Sequence, residues 1–170
     1  MVESYTRGQK ILHWLLAVLV LFWLLVSGQI AASSEGEQKG MILMFHSGGA
    51  LIIFALMMWR YSKRRKNLVM PLAELKSWEQ SWSRKVHVSF YVLVTLMAIT
   101  GILQGVFFDQ SVRVFGAINI TVGHNESLMS IFNLLHNVVS KIFLALIVLH
   151  VLAALKHQFV DKLPFIKRMT

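Results

Sequence analysis

Long apolar stretches separated by short polar segments make up most of this chain. Four of the stretches reach the roughly 20 residues that a helix needs to cross about 30 Å of hydrocarbon. They cover residues 11–32, 41–59, 86–108 and 131–155. The pattern predicts an all-α integral membrane protein, a single domain in which four membrane-spanning helices form one bundle.

Composition agrees with a membrane protein and limits its chemistry. Hydrophobic residues make up 56% of the 170 residues, which is more than an ordinary soluble domain of this size carries. Cysteine is absent, so disulfides, thiolate-bound metals and the C-x-x-C-H attachment of a c-type haem are excluded. Any haem in this protein would be held without a covalent bond to the chain.

Basic residues are concentrated in the connection between the second and third stretches. The positive-inside rule therefore predicts that this connection and both termini lie in the cytoplasm. The net charge of +9 follows from that topology, and no nucleic-acid partner is expected. In the other two connections the basic residues are Lys39 and Arg113. The basic residues of the second connection are Arg60, Lys63, Arg64, Arg65, Lys66, Lys76, Arg84 and Lys85.

Two further segments have patterns of their own. The first stretch follows Arg7 and Lys10 as a signal peptide would, but its apolar run is longer than the usual ~7 to 15 residues, so we expect it to remain as a span. Residues 71–84 place Leu and Trp at near-helical spacing after Pro71. This spacing predicts an amphipathic helix at the cytoplasmic interface, with a solvated loop as the alternative.

Histidines inside the apolar stretches are the main chemical signal of the sequence. They are His13, His46, His136 and His150, and an ionisable side chain within a span is a functional candidate by default. Fourteen residues separate His136 from His150, so both rings face within about 40° of one direction and lie about 21 Å apart along the helix. Depth pairs His13 with His150 on the cytoplasmic side and His46 with His136 on the outer side.

Two facing imidazoles can supply both axial bonds to a planar iron porphyrin, and a four-helix bundle is wide enough to hold one. Gly48, Gly49, Gly101 and Gly105 would let a flat macrocycle approach the backbone, although helix packing explains glycine almost as well. A hydrogen bond between helices is the alternative for a single membrane histidine. A metal carrier without haem is a further alternative, but a zinc site would need several ligands at one depth.

Other polar residues suggest sites at the two membrane faces. His87 and His157 lie at headgroup depth, where a ring that can deliver a proton suits a quinone, and where plain interfacial placement is the alternative. Lys141 is the one basic residue within a span. It could neutralise a haem propionate, bond a carbonyl or reach a water-filled cavity. Lys39, Arg113 and Lys141 are the candidates for contact with an electron donor outside.

The residues Tyr5-Thr6-Arg7-Gly8-Gln9 followed by His13-Trp14, together with the fourteen-residue spacing in the last span, resemble the prokaryotic cytochrome b561 family. The resemblance extends over nearly the whole chain. It implies a four-span cytochrome of the bacterial inner membrane with two haem b groups, connected to the quinone pool. On the family pattern the axial ligands match His13, His46, His136 and His150, and His87 and His157 match additional histidines near the cytoplasmic side.

The expected function is electron transfer between an outer donor and ubiquinone. Some members of the resembled family oxidise superoxide, which implies a superoxide:ubiquinone oxidoreductase. Relatives serve hydrogenases and formate dehydrogenases, so the alternative is an anchor subunit that passes electrons from a redox partner protein to quinone. The outer connections carry four acidic residues against two basic ones, a balance of −2, and this charge opposes attraction of an anion such as superoxide.

Overall fold

The computed structural model describes residues 5–170. Its four long helices are each long and apolar enough to cross a membrane, which confirms the predicted all-α membrane bundle. Three of them extend beyond the predicted stretches at both ends, because polar residues continue the helices outside the apolar zone. The helices are α1 (Arg7–Ser33), α2 (Gly36–Lys66), α3 (Ser77–Val106) and α4 (Glu126–Val160).

Apolar side chains from all four helices meet in the interior of the bundle. In α1 they recur every fourth residue, so that one face of the helix turns inward. Many other large apolar side chains are exposed on the outside, as expected where the surrounding solvent is lipid. The buried cluster consists of Leu12, Leu16, Val20, Ile53, Met57, Leu93, Val94 and Phe143.

The two ends of the bundle differ. We call the end with Tyr5, Thr170 and residues 67–76 the terminal side, and the end with residues 107–125 the hairpin side. On the hairpin side, β1 (Arg113–Val114) pairs antiparallel with β2 (Ile118–Asn119). The turn between the strands holds Phe115 at φ 53° and Gly116 at φ 73°. This turn folds back onto α2, where a Cβ on Gly48 would lie 2.8 Å from the Phe115 ring.

On the terminal side, the N-terminal sequence motif forms a helix cap. The Thr6 hydroxyl accepts a hydrogen bond from the Gln9 backbone amide at 3.3 Å, and the Thr6 amide donates to the Gln9 side-chain oxygen at 3.0 Å. The buried Gln9 also donates to the Asn67 carbonyl at 3.3 Å, and its own carbonyl accepts from Arg60 at 2.9 Å. The motif therefore joins the start of α1 to the end of α2.

The segment predicted as an interfacial helix, residues 71–84, is helical only in its second half. Residues 71–76 form turns and coil, and α3 begins at Ser77. The Lys76 backbone amide donates to the Glu79 carboxylate at 3.0 Å, which caps this helix start. Trp78 and Trp82 are exposed on the first turns of α3. The tryptophans thus belong to an extension of the third span rather than to a separate helix.

Candidate functional site

On the hairpin side, His46 of α2 faces His136 of α4. Their ring centroids are 6.4 Å apart and their ring planes meet at 69°. Phe143, which is 3% exposed, is part of the apolar wall around them. The lining of this site is completed by Val20, Trp23, Leu24, Ala50, Ile53, Val94, Met97 and Ala98.

On the terminal side, His13 of α1 faces His150 of α4. The ring centroids are again 6.4 Å apart, with the planes at 79°. The structure thus brings together the same two pairs that depth along the helices predicts, with α4 contributing one ring to each. Sequence spacing could find these pairs because all four residues lie on regular helices.

The spacing within each pair suits a metal held between the rings. Two imidazole nitrogens bound at about 2 Å to one metal put the ring centroids slightly more than 6 Å apart. A direct hydrogen bond between the rings, at about 3 Å between nitrogens, would bring the centroids to roughly 5 Å. Both spacings therefore fit two imidazoles bound to one iron atom better than a direct hydrogen bond between the rings.

A tetrahedral zinc site is not formed at either pair, since neither pair belongs to a group of three close ligand atoms among the described residues. Among residues 5–170, one group brings three metal-ligating side chains within 4.8 Å of each other, and it lies elsewhere. It consists of Glu79, His157 and Asp161. The ammonium of Lys156 contacts both carboxylates there, at 2.7 Å from Asp161 and 3.6 Å from Glu79.

Hydroxyl groups bind the second nitrogen of both histidines on the hairpin side. Ser27 Oγ lies 2.9 Å from His46 Nδ1, and Thr100 Oγ1 lies 3.0 Å from His136 Nδ1. Thr100 donates its own proton to the Leu96 carbonyl at 2.7 Å. It therefore accepts the proton of His136 Nδ1, and Nε2 keeps the lone pair that a metal ligand needs.

An irregular turn of α1 supports this arrangement. Residues Trp23–Ser27 form a π-helical turn, a feature that is common at functional sites. The Trp23 indole N–H at its start donates to the His46 carbonyl at 3.0 Å, and Ser27 at its end contacts the His46 ring. Gly49 makes room for the indole, since a Cβ there would lie 1.9 Å from Trp23 Cζ2.

The glycines of the spans have different neighbours. Gly101 lies against a ligand candidate, because a Cβ there would be 3.1 Å from His136 Cε1. Gly48, Gly49 and Gly105 instead accept side chains, and for Gly105 the neighbour is Ile120 beyond the hairpin. Close packing therefore accounts for three of the four glycines that were considered as neighbours of a macrocycle.

A third imidazole stands beside the pair on the terminal side. The His87 ring lies 5.6 Å from that of His150, and its Nδ1 donates to the Ser83 carbonyl at 2.6 Å. Arg60 of α2 donates to the Gln9 carbonyl at 2.9 Å, one helical turn before His13. A guanidinium group in this position could bind a carboxylate arm of a cofactor. Sequence reasoning used Arg60 only for topology, because its proximity to this site depends on the packing of α2 against α1.

His157 lies in a second irregular turn, the π-helical Lys156–Val160 at the end of α4. Its Nδ1 donates to the Asp161 carboxylate at 2.7 Å, and its ring stacks on Phe165 at 4.6 Å. A hydrogen bond from Lys156 lowers the pKa of the Asp161 carboxyl below its usual value. No ring contact joins His157 to His87 among the described residues, so the two quinone candidates are separate groups on one side of the bundle.

The three donor candidates lie in different surroundings. Lys39 lines a cavity of about 480 Å³ on the hairpin side together with Asp109, His124 and Glu126. Its ammonium lies 5.6 Å from the centre of the Phe108 ring. Arg113 is exposed on β1, and Lys141 is exposed on α4. Lys39 precedes His46 by seven residues, so it lies about 10 Å further out on nearly the same helix face.

Comparison with known protein families gives a match that covers nearly the whole chain. A protein-family model described as prokaryotic cytochrome b561 matches residues 4–170, a range that includes both histidine pairs. Comparison with curated proteins finds no match.

Proposed function

The chain belongs to the prokaryotic cytochrome b561 family, and from this premise we propose that it carries single electrons through two haem b groups, from a donor at the hairpin side to a quinone at the terminal side. Family membership makes it a multi-pass b-type cytochrome of the bacterial inner membrane that takes part in electron transfer. The number of haems, the orientation and the two reaction partners are our proposal. The positive-inside rule supports an orientation with the terminal side in the cytoplasm.

The observation that carries the proposal is that two histidine pairs have the same distance between their rings, and that α4 contributes one histidine to each pair. His46 with His136 and His13 with His150 each hold their ring centroids 6.4 Å apart. Each pair would hold one haem, which supplies reversible one-electron chemistry at its iron. The chain binds and orients the haems through these rings, and the apolar side chains around them keep water away.

Aromatic side chains connect the two pairs. Phe143 lies seven residues from His136 and seven from His150, so it occupies nearly the same face of α4 midway between them. Its ring is 5.9 Å from that of Phe90, and Phe90 is 5.4 Å from His150. This aromatic packing supports electron transfer between the centres, because it helps to fix their separation.

Quinone reduction consumes two electrons and two protons, and the terminal side offers groups that can hold protons. His157 is hydrogen-bonded to the partly exposed Asp161, a contact that can exchange protons with the cytoplasm. His87 is fixed by the Ser83 carbonyl and lies beside His150. We propose that ubiquinone binds near these two histidines and accepts electrons from the haem held by His13 and His150.

On the hairpin side we propose superoxide as the donor to test first. Its one-electron oxidation to dioxygen would reduce the haem held by His46 and His136. Glu35, Asp109 and Glu126 line the same cavity as Lys39, so local charge opposes entry of an anion. A protein donor is therefore the second candidate, and the chain would then serve as the cytochrome subunit of a partner dehydrogenase.

Replacement of the histidines tests the proposal directly. His136→Ala should remove the haem on the hairpin side, and His150→Ala should remove the haem on the terminal side. Reduced-minus-oxidised spectra and haem quantification should show half the wild-type haem content for each variant. His124→Ala, which changes an exposed histidine, is the matched control and should keep both haems. If His136→Ala and His150→Ala keep the full haem content, the proposed ligation is wrong.

The donor is tested with the wild-type protein in vesicles that contain ubiquinone. Superoxide generated outside should reduce the haems and then the quinone, with both reactions lost in His136→Ala. If superoxide leaves the haems oxidised while a chemical reductant reduces them, the superoxide proposal fails and the partner-dehydrogenase alternative gains support.

A further inference from the structure

Lys141 carries a positive charge on the outer surface of the bundle, near the middle of the membrane. It lies five residues beyond His136, so it is about 7.5 Å further along α4 and about 140° around the helix from that inward-facing ring. It precedes His150 by nine residues, or about 13.5 Å. Lys141 is thus placed between the depths of the two histidine pairs and on the opposite face of α4, and its side chain is exposed.

The surroundings of Lys141 are apolar and lipid-facing. Val138, Ile142 and Leu149 on the same helix are all large, apolar and exposed. Within residues 5–170, no hydrogen bond, ion pair or cation–π contact involves the Lys141 ammonium. Ionisable groups in a membrane span normally face the interior of the bundle or pair with another group. The fold by itself provides neither at this position.

Two amide side chains lie near Lys141 on the same face of α4, toward the hairpin side. Asn133 and Asn137 precede it at four-residue intervals, and all three are exposed. The Asn137 amide group donates to Asn133 at 2.9 Å, and Gln104 of α3 donates to the same asparagine at 3.4 Å. We call Asn133, Asn137 and Lys141 the α4 stripe. Polar residues at such positions stabilise contacts between helices in membranes.

We propose that the α4 stripe binds a membrane-spanning helix of a different protein, one that carries a carboxylate near the membrane midplane. The carboxylate would pair with the Lys141 ammonium, and a polar side chain about one turn outward would bond to Asn137. The proposal concerns a face of α4 that does not line the histidine pairs, so it goes beyond the electron-transfer function and does not depend on haem.

Charge complementarity excludes a second copy of the chain as the occupant. Residues 11–32, 41–59, 86–108 and 131–155 contain neither Asp nor Glu. A second copy could therefore offer no carboxylate at this depth, and a symmetric contact would place two ammonium groups at the same level. The partner must supply the negative charge from its own sequence.

The test uses model helices in vesicles. Because the chain lacks cysteine, Val122→Cys, at an exposed position on the hairpin side, provides one site for a fluorescent donor on the full-length protein as purified. The probe is an acceptor-labelled Leu/Ala peptide of about 20 residues with one central Glu. A peptide with Gln at that position is its control. Energy transfer should show about tenfold tighter association of the Glu peptide, the size of strong interhelical polar contacts in membranes.

Variants locate the contact. Lys141→Met should lose the preference for the Glu peptide, and Lys141→Arg should keep it. Val92→Met, a change at an exposed position of α3, is the matched control and should bind like wild type. Haem content and helicity are measured for each variant, so a folding defect is recognised separately.

The proposal is overturned if the Glu and Gln peptides associate equally, or if Lys141→Met keeps the preference. It is also overturned if the chain forms oligomers in vesicles that Lys141→Met abolishes, because a second copy would then cover the stripe. Loss of haem in the histidine variants, or its absence from the wild-type protein, would leave this assay unaffected.

Discussion

Two hydroxyl side chains fix the rings of the hairpin-side pair, and they come from different helices. Ser27 and Thr100 are polar residues within apolar stretches, which is the one sequence signal that could have drawn attention to them. Their pairing with His46 and His136 could not be predicted, because each contact joins residues that are far apart in the chain. A hydrogen bond between such a hydroxyl group and Nδ1 changes the electron density that the imidazole gives to a metal.

Thr100→Val should raise the reduction potential of the haem that we propose between His46 and His136, and it should leave that of the haem proposed between His13 and His150 unchanged. Removal of the acceptor makes the His136 imidazole a weaker electron donor, and a weaker donor stabilises ferric iron less. Spectroelectrochemical titration that resolves the two haems would measure the shift. Thr100→Ser keeps a hydroxyl and is the control; equal potentials in wild type and Thr100→Val would contradict the role of this contact.

Acid should loosen the contact between His157 and Asp161. A pKa that is lowered in the folded protein stabilises it above the ordinary carboxyl value of about 4, and the stabilisation disappears as the pH falls through the lowered pKa. The hydrogen-exchange protection factors of residues 156–165, which correct for the slower intrinsic exchange in acid, should therefore fall below about pH 4. Asp161→Asn should remove this acid-dependent step, whereas Asp109→Asn on the hairpin side should leave it in place.

At the scale of helices, regular segments could be predicted and irregular ones could not. The four spans follow from apolar length alone, and the histidine pairs follow from helical periodicity. The sequence of the π-helical turn Trp23–Ser27 has the pattern of an ordinary apolar helix. The turn could not be predicted because its contacts are with α2, which is distant along the chain. The hairpin of β1 and β2 has only two residues in each strand, too few to show an alternating pattern.

The packing of the π-helical turn on α2 is tested at two glycines of that helix. Gly49→Ala should destabilise the bundle by about 1–3 kcal/mol, since the new methyl group must displace the Trp23 ring. Gly40→Ala should be neutral or stabilising by up to about 1 kcal/mol, because nothing lies within 4 Å of its Cβ and alanine favours helix. Thermal unfolding in detergent compares the two. A Gly49→Ala protein as stable as wild type would contradict the packing.

For the whole molecule, charge and topology are linked. The basic connection, Tyr5 and Thr170 share one side of the bundle, and the cavity lined by Lys39 and three acidic residues lies on the other. The sequence was sufficient to predict this difference in charge between the two sides, because the difference depends on the number of charged residues in each connection. It was not sufficient for the lipid-facing direction of Lys141, which needs the rotation of α4 against its neighbours. A lysine so placed costs about 3 kcal/mol on insertion scales when it has no partner.

The orientation itself is tested by cysteine labelling in spheroplasts. Val122→Cys, on the hairpin side, should react with a membrane-impermeant maleimide from outside. Leu68→Cys, on the terminal side, should react only after the membrane is permeabilised, as the positive-inside rule requires. The reverse labelling pattern would place the cavity lined by Lys39 in the cytoplasm and would exclude a periplasmic donor at that cavity.

The segment of α4 between His136 and His150 has a fixed length for a geometric reason. Insertion or deletion of one residue there would rotate one ring by about 100° relative to the other, so that one of the two sites would lose a ligand. A seven-residue change would nearly restore the direction but alter the separation by about 10 Å. Among related chains that keep both sites, we therefore expect gaps in the connections and none within these fourteen residues, so this interval can anchor their alignment.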